Sequence, residues 1–152
     1  MGELVAMSSD EITKKFIPYN TQDIDELDIQ EVSEALRQPL LTTGPITEFF
    51  EQELADYLGS NHAIACSNGT AALHIALQVL EVGRGDCVIT TPNTFLSDAN
   101  AARFLGADVL CADIEPETYN LDPSKVREIL LQRDDVKAVI VVHYGGNAAD
   151  MA

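Results

Sequence analysis

The stretch Cys66-Ser67-Asn68-Gly69-Thr70-Ala71-Ala72-Leu73-His74 collects residue types that can hold an anion. The apolar run at 62–66 reads as a short buried strand, and the apolar-rich residues 70–80 as a helix. A strand feeding a helix through Ser-Asn-Gly-Thr presents unpaired backbone N–H groups at the positive end of the helix dipole. Phosphate is the usual occupant of such a place. Gly69 has no Cβ, so a ligand can approach the backbone closely, and the Thr70 hydroxyl can donate to a phosphate oxygen. Taken alone, the stretch reads more simply as a helix start capped by Ser67 or Asn68. A second candidate is Phe95, on the turn after the apolar run 87–90, where an aromatic face could stack on a flat ring. The plainer reading of Phe95 is a core residue at a helix start. His143 could act as a general base, although a histidine ending a strand is more often held by local hydrogen bonds. Asp113 reads as a turn carboxylate. Thr42 and Thr43 could touch a ligand, but loop threonines usually cap or face solvent.

These residues need a scaffold, and from residue 62 the chain has a regular beat. Apolar strand-like runs occur at 63–66, 87–90, 109–112 and 136–142, with helical stretches near 70–80, 95–105 and 123–132. Asp122 caps the last helix, and Val126, Ile129 and Leu130 mark its apolar face. The runs are continuously apolar, which predicts strands covered on both faces. The expected fold is therefore α/β: three layers, a mostly parallel sheet flanked by helices, with right-handed crossovers. Ligands bind such sheets beyond the carboxyl ends of the strands. Residues 67–70, 91–95, 113–115 and 143–147 should gather there. Upstream, 1–15 read as a loose leader and 16–152 as one domain. A helix spans about 25–38, followed by a loop at 40–45. Another begins at Pro45 and carries Ile46, Phe50, Leu54, Tyr57 and Leu58 along one stripe, and Gly59 closes it.

Composition narrows the partners. The apolar content of 46% over 152 residues suits one globular domain. A net charge of −16 argues against nucleic acid or an anionic membrane, and it leaves any bound phosphate dependent on local dipoles. No run approaches the ~18 apolar residues of a membrane span, and the N-terminus lacks the basic and apolar regions of a secretory signal. Cys66, Cys87 and Cys111 form no C-x-x-C pair and read as buried free thiols in a reducing, cytoplasmic setting. No metal site is expected.

Several stretches together give a sharper indication: Leu41-Thr42-Thr43-Gly44-Pro45, Ser67 to His74, Gly83-Arg84-Gly85-Asp86, and Thr94-Phe95 with Ala99-Asn100-Ala101. Asp113-Ile114, Thr118-Tyr119-Asn120-Leu121-Asp122 and Val142-His143-Tyr144-Gly145 continue the series. In one register over roughly 17–151, the chain resembles the N-terminal part of the DegT/DnrJ-type sugar aminotransferases, which are fold-type-I pyridoxal phosphate (PLP) enzymes. The resemblance implies that Gly69, Thr70 and Ala71 hold the PLP phosphate and that Phe95 stacks on the pyridine ring. It sets Thr43 and Gly44 near the substrate entrance. Gly146-Asn147 stands where the family often has Gln-Pro, a departure that touches nothing catalytic.

The resemblance also implies that the Schiff-base lysine and the aspartate facing the pyridinium nitrogen fall beyond Ala152. None of Lys14, Lys15, Lys125 and Lys137 stands in a matching context, so no catalytic residue is assigned here and the chain alone is expected to be inactive. The implied whole enzyme is a homodimer that moves an amino group, typically from glutamate, to a keto nucleotide sugar. Two alternatives remain: a PLP-dependent sugar dehydratase of the same family, and a non-catalytic nucleotide-binding α/β module. Against the module, no G-x-G-x-x-G or G-x-x-x-x-G-K-[ST] occurs. As an isolated piece with an open sheet edge, the chain is expected to aggregate or stay molten.

Overall fold

A computed structural model describes residue 18, residues 20–42 and residues 44–151. The expectations for the 1–15 leader and for Thr43 lie outside the described residues. The chain divides into two compact units, Met1–Ala63 and Ile64–Ala152.

The first unit contains helices α1 (Glu26–Ala35) and α2 (Pro45–Leu58). Asp25 opens α1 with a capping box: its carboxylate accepts from the Leu27 and Asp28 amides at 2.8 and 3.0 Å, and the Asp28 side chain accepts from the Asp25 amide at 2.9 Å. Pro45 takes the first position of α2, and Gly59 ends it in the left-handed conformation at φ 64. Along the apolar stripe of α2, Ile46, Phe50, Tyr57 and Leu58 are exposed and Leu54 is half-buried, while Ala55 is the buried residue of this helix. Amphipathic spacing specifies which face seeks cover without supplying the cover.

The second unit contains α3 (Gly69–Val79), β1 (Cys87–Thr90), α4 (Ser97–Phe104), β2 (Asp108–Cys111), α5 (Pro123–Leu130) and β3 (Val136–Val139), followed by a 3-10 turn, Tyr144–Gly146. The three strands are parallel, in the order β2-β1-β3. Val88 pairs with Val109 on one side and Ala138 on the other. Side chains of β1 alternate between two cores. Val88 packs with Leu77 of α3 and Ala101 and Ala102 of α4, whereas Ile89 packs with Ala112, Leu121 and the Val126 and Ile129 of α5. Helices therefore cover both faces, giving the three layers expected.

Three expectations fail in detail. Residues 63–66 form no strand: the segment lies outside the three-stranded sheet, with Ile64 77% exposed. A strand needs a neighbour to take its N–H and C=O groups, and the sequence does not name that neighbour. Cover on both faces holds for β1 alone, since β2 and β3 are edges whose residues are half-buried or exposed. All three cysteines are free, but Cys66 and Cys111 are exposed and only Cys87 is buried.

The connections fix direction. A short turn returns α3 to the start of β1, and residues 105–107 return α4 to the start of β2. The two turns touch: Gly106, at φ 83, lies under Arg84, whose Cγ would be 2.8 Å from any Cβ placed there. The C-termini of α3 and α4 thus neighbour each other at the amino ends of the strands. Because the two helices pack side by side, their N-termini face the carboxyl ends.

Candidate functional site

At that carboxyl edge the first feature is the start of α3. Asn68 is its cap, and the Asn68 Oδ1 accepts from the Ala71 amide at 2.9 Å. The Ala72 amide donates to the Asn68 carbonyl at 3.1 Å. The Gly69 and Thr70 amides, at the first two helical positions, precede any carbonyl they could reach within the helix. No acidic residue stands in the first turn, so the dipole's positive end is not neutralised locally. Around Gly69 the space is open: a Cβ built there meets nothing within 4 Å. The capping reading and the anion reading therefore coexist, with the cap occupying the Ala71 amide.

The second feature is the turn from β1 into α4. Thr90 and Thr91 are buried, and the Thr91 Oγ1 accepts from the Asn93 amide at 3.2 Å. Phe95 then projects outward, 76% exposed. It is not the core aromatic of the plainer reading. Leu96, which caps α4, supplies no side-chain hydrogen bond to the helix. Asp98 takes a different part in this turn: buried in the first turn of α4, its Oδ2 accepts from the Thr94 Oγ1 at 2.7 Å.

The remaining two segments join through Asn120, a buried residue that sequence reasoning did not single out. Its Oδ1 accepts from the Tyr144 amide at 2.9 Å, and its Nδ2 donates to the Asn147 carbonyl at 3.2 Å. A one-residue bridge, Ile114 to Leu121, closes the loop that carries it. His143 is held locally, as its Nδ1 accepts from the Ala149 amide at 3.0 Å. Asp113 accepts from the following Ile114 amide at 2.8 Å, as a turn carboxylate does. Gly44 belongs to the other unit, where it caps α2.

The described lysines are engaged elsewhere. Lys137 donates to the Glu81 carbonyl at 2.6 Å and lies 3.6 Å from Asp86, at the amino ends of the strands. Lys125 pairs with Glu128 at 2.8 Å, which raises its pKa. A cleft of about 480 Å³ lies against α5, lined by Leu121, Val126, Leu130, Val139, Val141 and Met151 among others. It is mostly apolar and shares no lining residue with the α3 start or the Phe95 turn.

Residues 22–152 match the DegT/DnrJ/EryC1/StrS aminotransferase family. The chain belongs to that family. It is 43% identical over 136 residues to the spore coat polysaccharide biosynthesis protein SpsC of Bacillus subtilis (strain 168), covering 90% of this chain and 34% of SpsC. Among solved structures it is similar to the putative sugar aminotransferase Spr1654 of Streptococcus pneumoniae, with a TM-score of 0.81 and 33% identity over 88% of this chain and 33% of that one. Spr1654 is known in apo, pyridoxamine phosphate (PMP) and PLP forms. A third relative is 3-amino-5-hydroxybenzoic acid synthase, with a TM-score of 0.78 and 38% identity over 85% of this chain and 34% of that one. This family member thus spans about a third of the relatives it matches.

Proposed function

We propose that this chain is the N-terminal portion of a PLP-dependent aminotransferase that moves an amino group, with glutamate as donor, to a keto nucleotide sugar. The observation that carries the reading is the start of α3: two amides without carbonyl partners, no nearby acid, and open space where Gly69 lacks a Cβ. Family membership supports reading that helix start as the phosphate site for PLP.

In this reading the Gly69 and Thr70 amides and the Thr70 hydroxyl hold the phosphate. The Ala71 amide joins them only when Asn68 releases it. The exposed Phe95 ring lies against the flat heterocycle and excludes water from one face. When bound, PLP supplies an electron sink for charge that develops at the substrate carbon. The residues named here bind and orient it. The lysine that carries the cofactor and moves the proton is assigned, by the family resemblance, to a part of the protein outside these 152 residues, since none of Lys14, Lys15, Lys125 and Lys137 stands in a matching context. Thr43 and Gly44 are assigned to the substrate side. Assembly as a cytoplasmic homodimer completes the reading.

Nitrogen transfer tests it. The intact gene product, given 15N-glutamate and a panel of 3-keto and 4-keto nucleotide sugars, should yield a labelled amino sugar and 2-oxoglutarate. Loss of a sugar hydroxyl without label would replace the transaminase reading by the dehydratase one. Protection of the protein by NAD or ATP, and none by PLP, would favour a nucleotide-binding module.

A further inference from the structure

We propose that Asp98 is a positioning residue that holds the Phe95 ring out in the orientation from which it stacks on the cofactor. The inference rests on the stacking role given to Phe95 above. An isolated phenylalanine side chain gains by leaving water, yet Phe95 stands 76% exposed at the mouth of a well-packed layer. Asp98 ties this turn at two points, one at the Phe95 backbone and one at the Thr94 side chain. The Asp98 amide donates to the Phe95 carbonyl at 3.2 Å. The Asp98 carboxylate accepts from the Thr94 hydroxyl, immediately before Phe95, at 2.7 Å. One buried residue thus grips the turn at Phe95 and at the residue preceding it.

Burying a carboxylate is costly unless its oxygens are hydrogen-bonded. Asp98 is 6% exposed, and its other oxygen accepts a longer bond of 3.4 Å from the Ser97 hydroxyl. It also sits in the first turn of α4, where the helix dipole favours negative charge. Leu96 offers no side-chain cap to this helix, and the bond between Asp98 and Thr94 adds a side-chain tie between the helix start and the incoming chain. Short donor–acceptor distance, burial and placement beside an outward aromatic together describe a pre-set platform. Such support is needed if a ring is to meet a planar ligand without first being ordered by it.

The test is a double-mutant cycle on the intact gene product as apoprotein, read by the fluorescence polarisation of added PMP, which binds without a covalent link to lysine. Phe95→Ala is expected to weaken PMP binding roughly fivefold. Thr94→Val, close to isosteric, is expected to weaken it roughly threefold by releasing the turn, and to have no further effect when combined with Phe95→Ala. Asp98→Asn keeps an oxygen acceptor for Thr94 and should stay within about twofold of the parent. If Phe95→Ala weakens binding while Thr94→Val does not, the positioning role is overturned and the stacking role stands. An equal loss from Thr94→Val with and without the Phe95 ring would mark a general structural effect and overturn it too. A deeper loss in Asp98→Asn than in Thr94→Val would have the same consequence. No change in Phe95→Ala would remove the stacking role itself, and the inference with it.

Discussion

Gly69 matters for what it lacks. Its φ is not in the left-handed region, and among the described residues a Cβ there meets nothing within 4 Å beyond its chain neighbours and its own helix backbone, so alanine fits this helix start. Gly69→Ala is therefore expected to leave stability unchanged or raise it by about 0.5 kcal/mol, since alanine narrows the unfolded ensemble. The same methyl group would intrude on a phosphate at the Gly69 and Thr70 amides, and PMP affinity should drop about tenfold or more. Urea unfolding and PMP titration on one preparation check both halves. A fall in stability would mean that Gly69 serves the backbone and not a ligand. Cys87 makes a different kind of prediction. Burial pushes its thiol above the ordinary value, so the folded protein holds that proton more tightly than the unfolded chain does. Its contribution to stability is complete below the unfolded value of about 8.5 and is lost as pH rises through the higher folded value. Cys87→Val should remove that part of the alkaline decline, seen as a smaller difference in urea midpoint between about pH 7 and about pH 10.

Helix α3 is held at its start by a single side chain. Asn68→Ala removes the acceptor for the Ala71 amide and should cost roughly 1 kcal/mol, or a melting temperature lower by about 3 °C. Saturating PMP should recover part of the loss, because a phosphate can then accept from the Ala71 amide. A thermal melt with and without PMP reads both effects. This helix also shows how far the sequence could be read. Its cap, the Pro45 and Gly59 boundaries of α2, the Asp122 cap of α5 and the three-layer α/β plan all follow from local chemistry and periodicity. Residues 63–66 are as apolar as β1 yet lie outside the three-stranded sheet, and pairing is a property of the partner as much as of the segment. For the same reason apolar runs could not distinguish the central strand from the two edges. Within the candidate site, Gly69, Thr70 and Phe95 could be proposed from residue type alone, whereas Asn120 and Asp98 act through bonds across 24 and four residues. For Asp98 a usable signal did exist: a threonine four residues before an aspartate in a helix's first turn, astride an aromatic.

Two opposed forces act on the 152-residue chain as a body in solution. The outward edges of β2 and β3 offer unpaired ladder groups, and apolar side chains such as Leu131, Phe104 and Met151 stand exposed. Both features invite association. Against them works a net charge of −16, which makes every copy repel every other. The repulsion is long-ranged and screened by salt, with a Debye length of about 10 Å at 0.1 M and about 3 Å at 1 M, while the apolar attraction survives screening. Association of the chain is therefore expected to be weakest in dilute buffer near neutral pH and to grow as salt is added. Protonating the carboxylates near pH ~4 should have the same effect without salt. Dynamic light scattering across both series checks this. Placing a second charge on β3, at its exposed apolar position as Val139→Lys, should raise the salt concentration at which particles grow, even though the added cation lowers the net charge. If it lowers that threshold instead, the charge of the whole chain governs association and the strand edge does not.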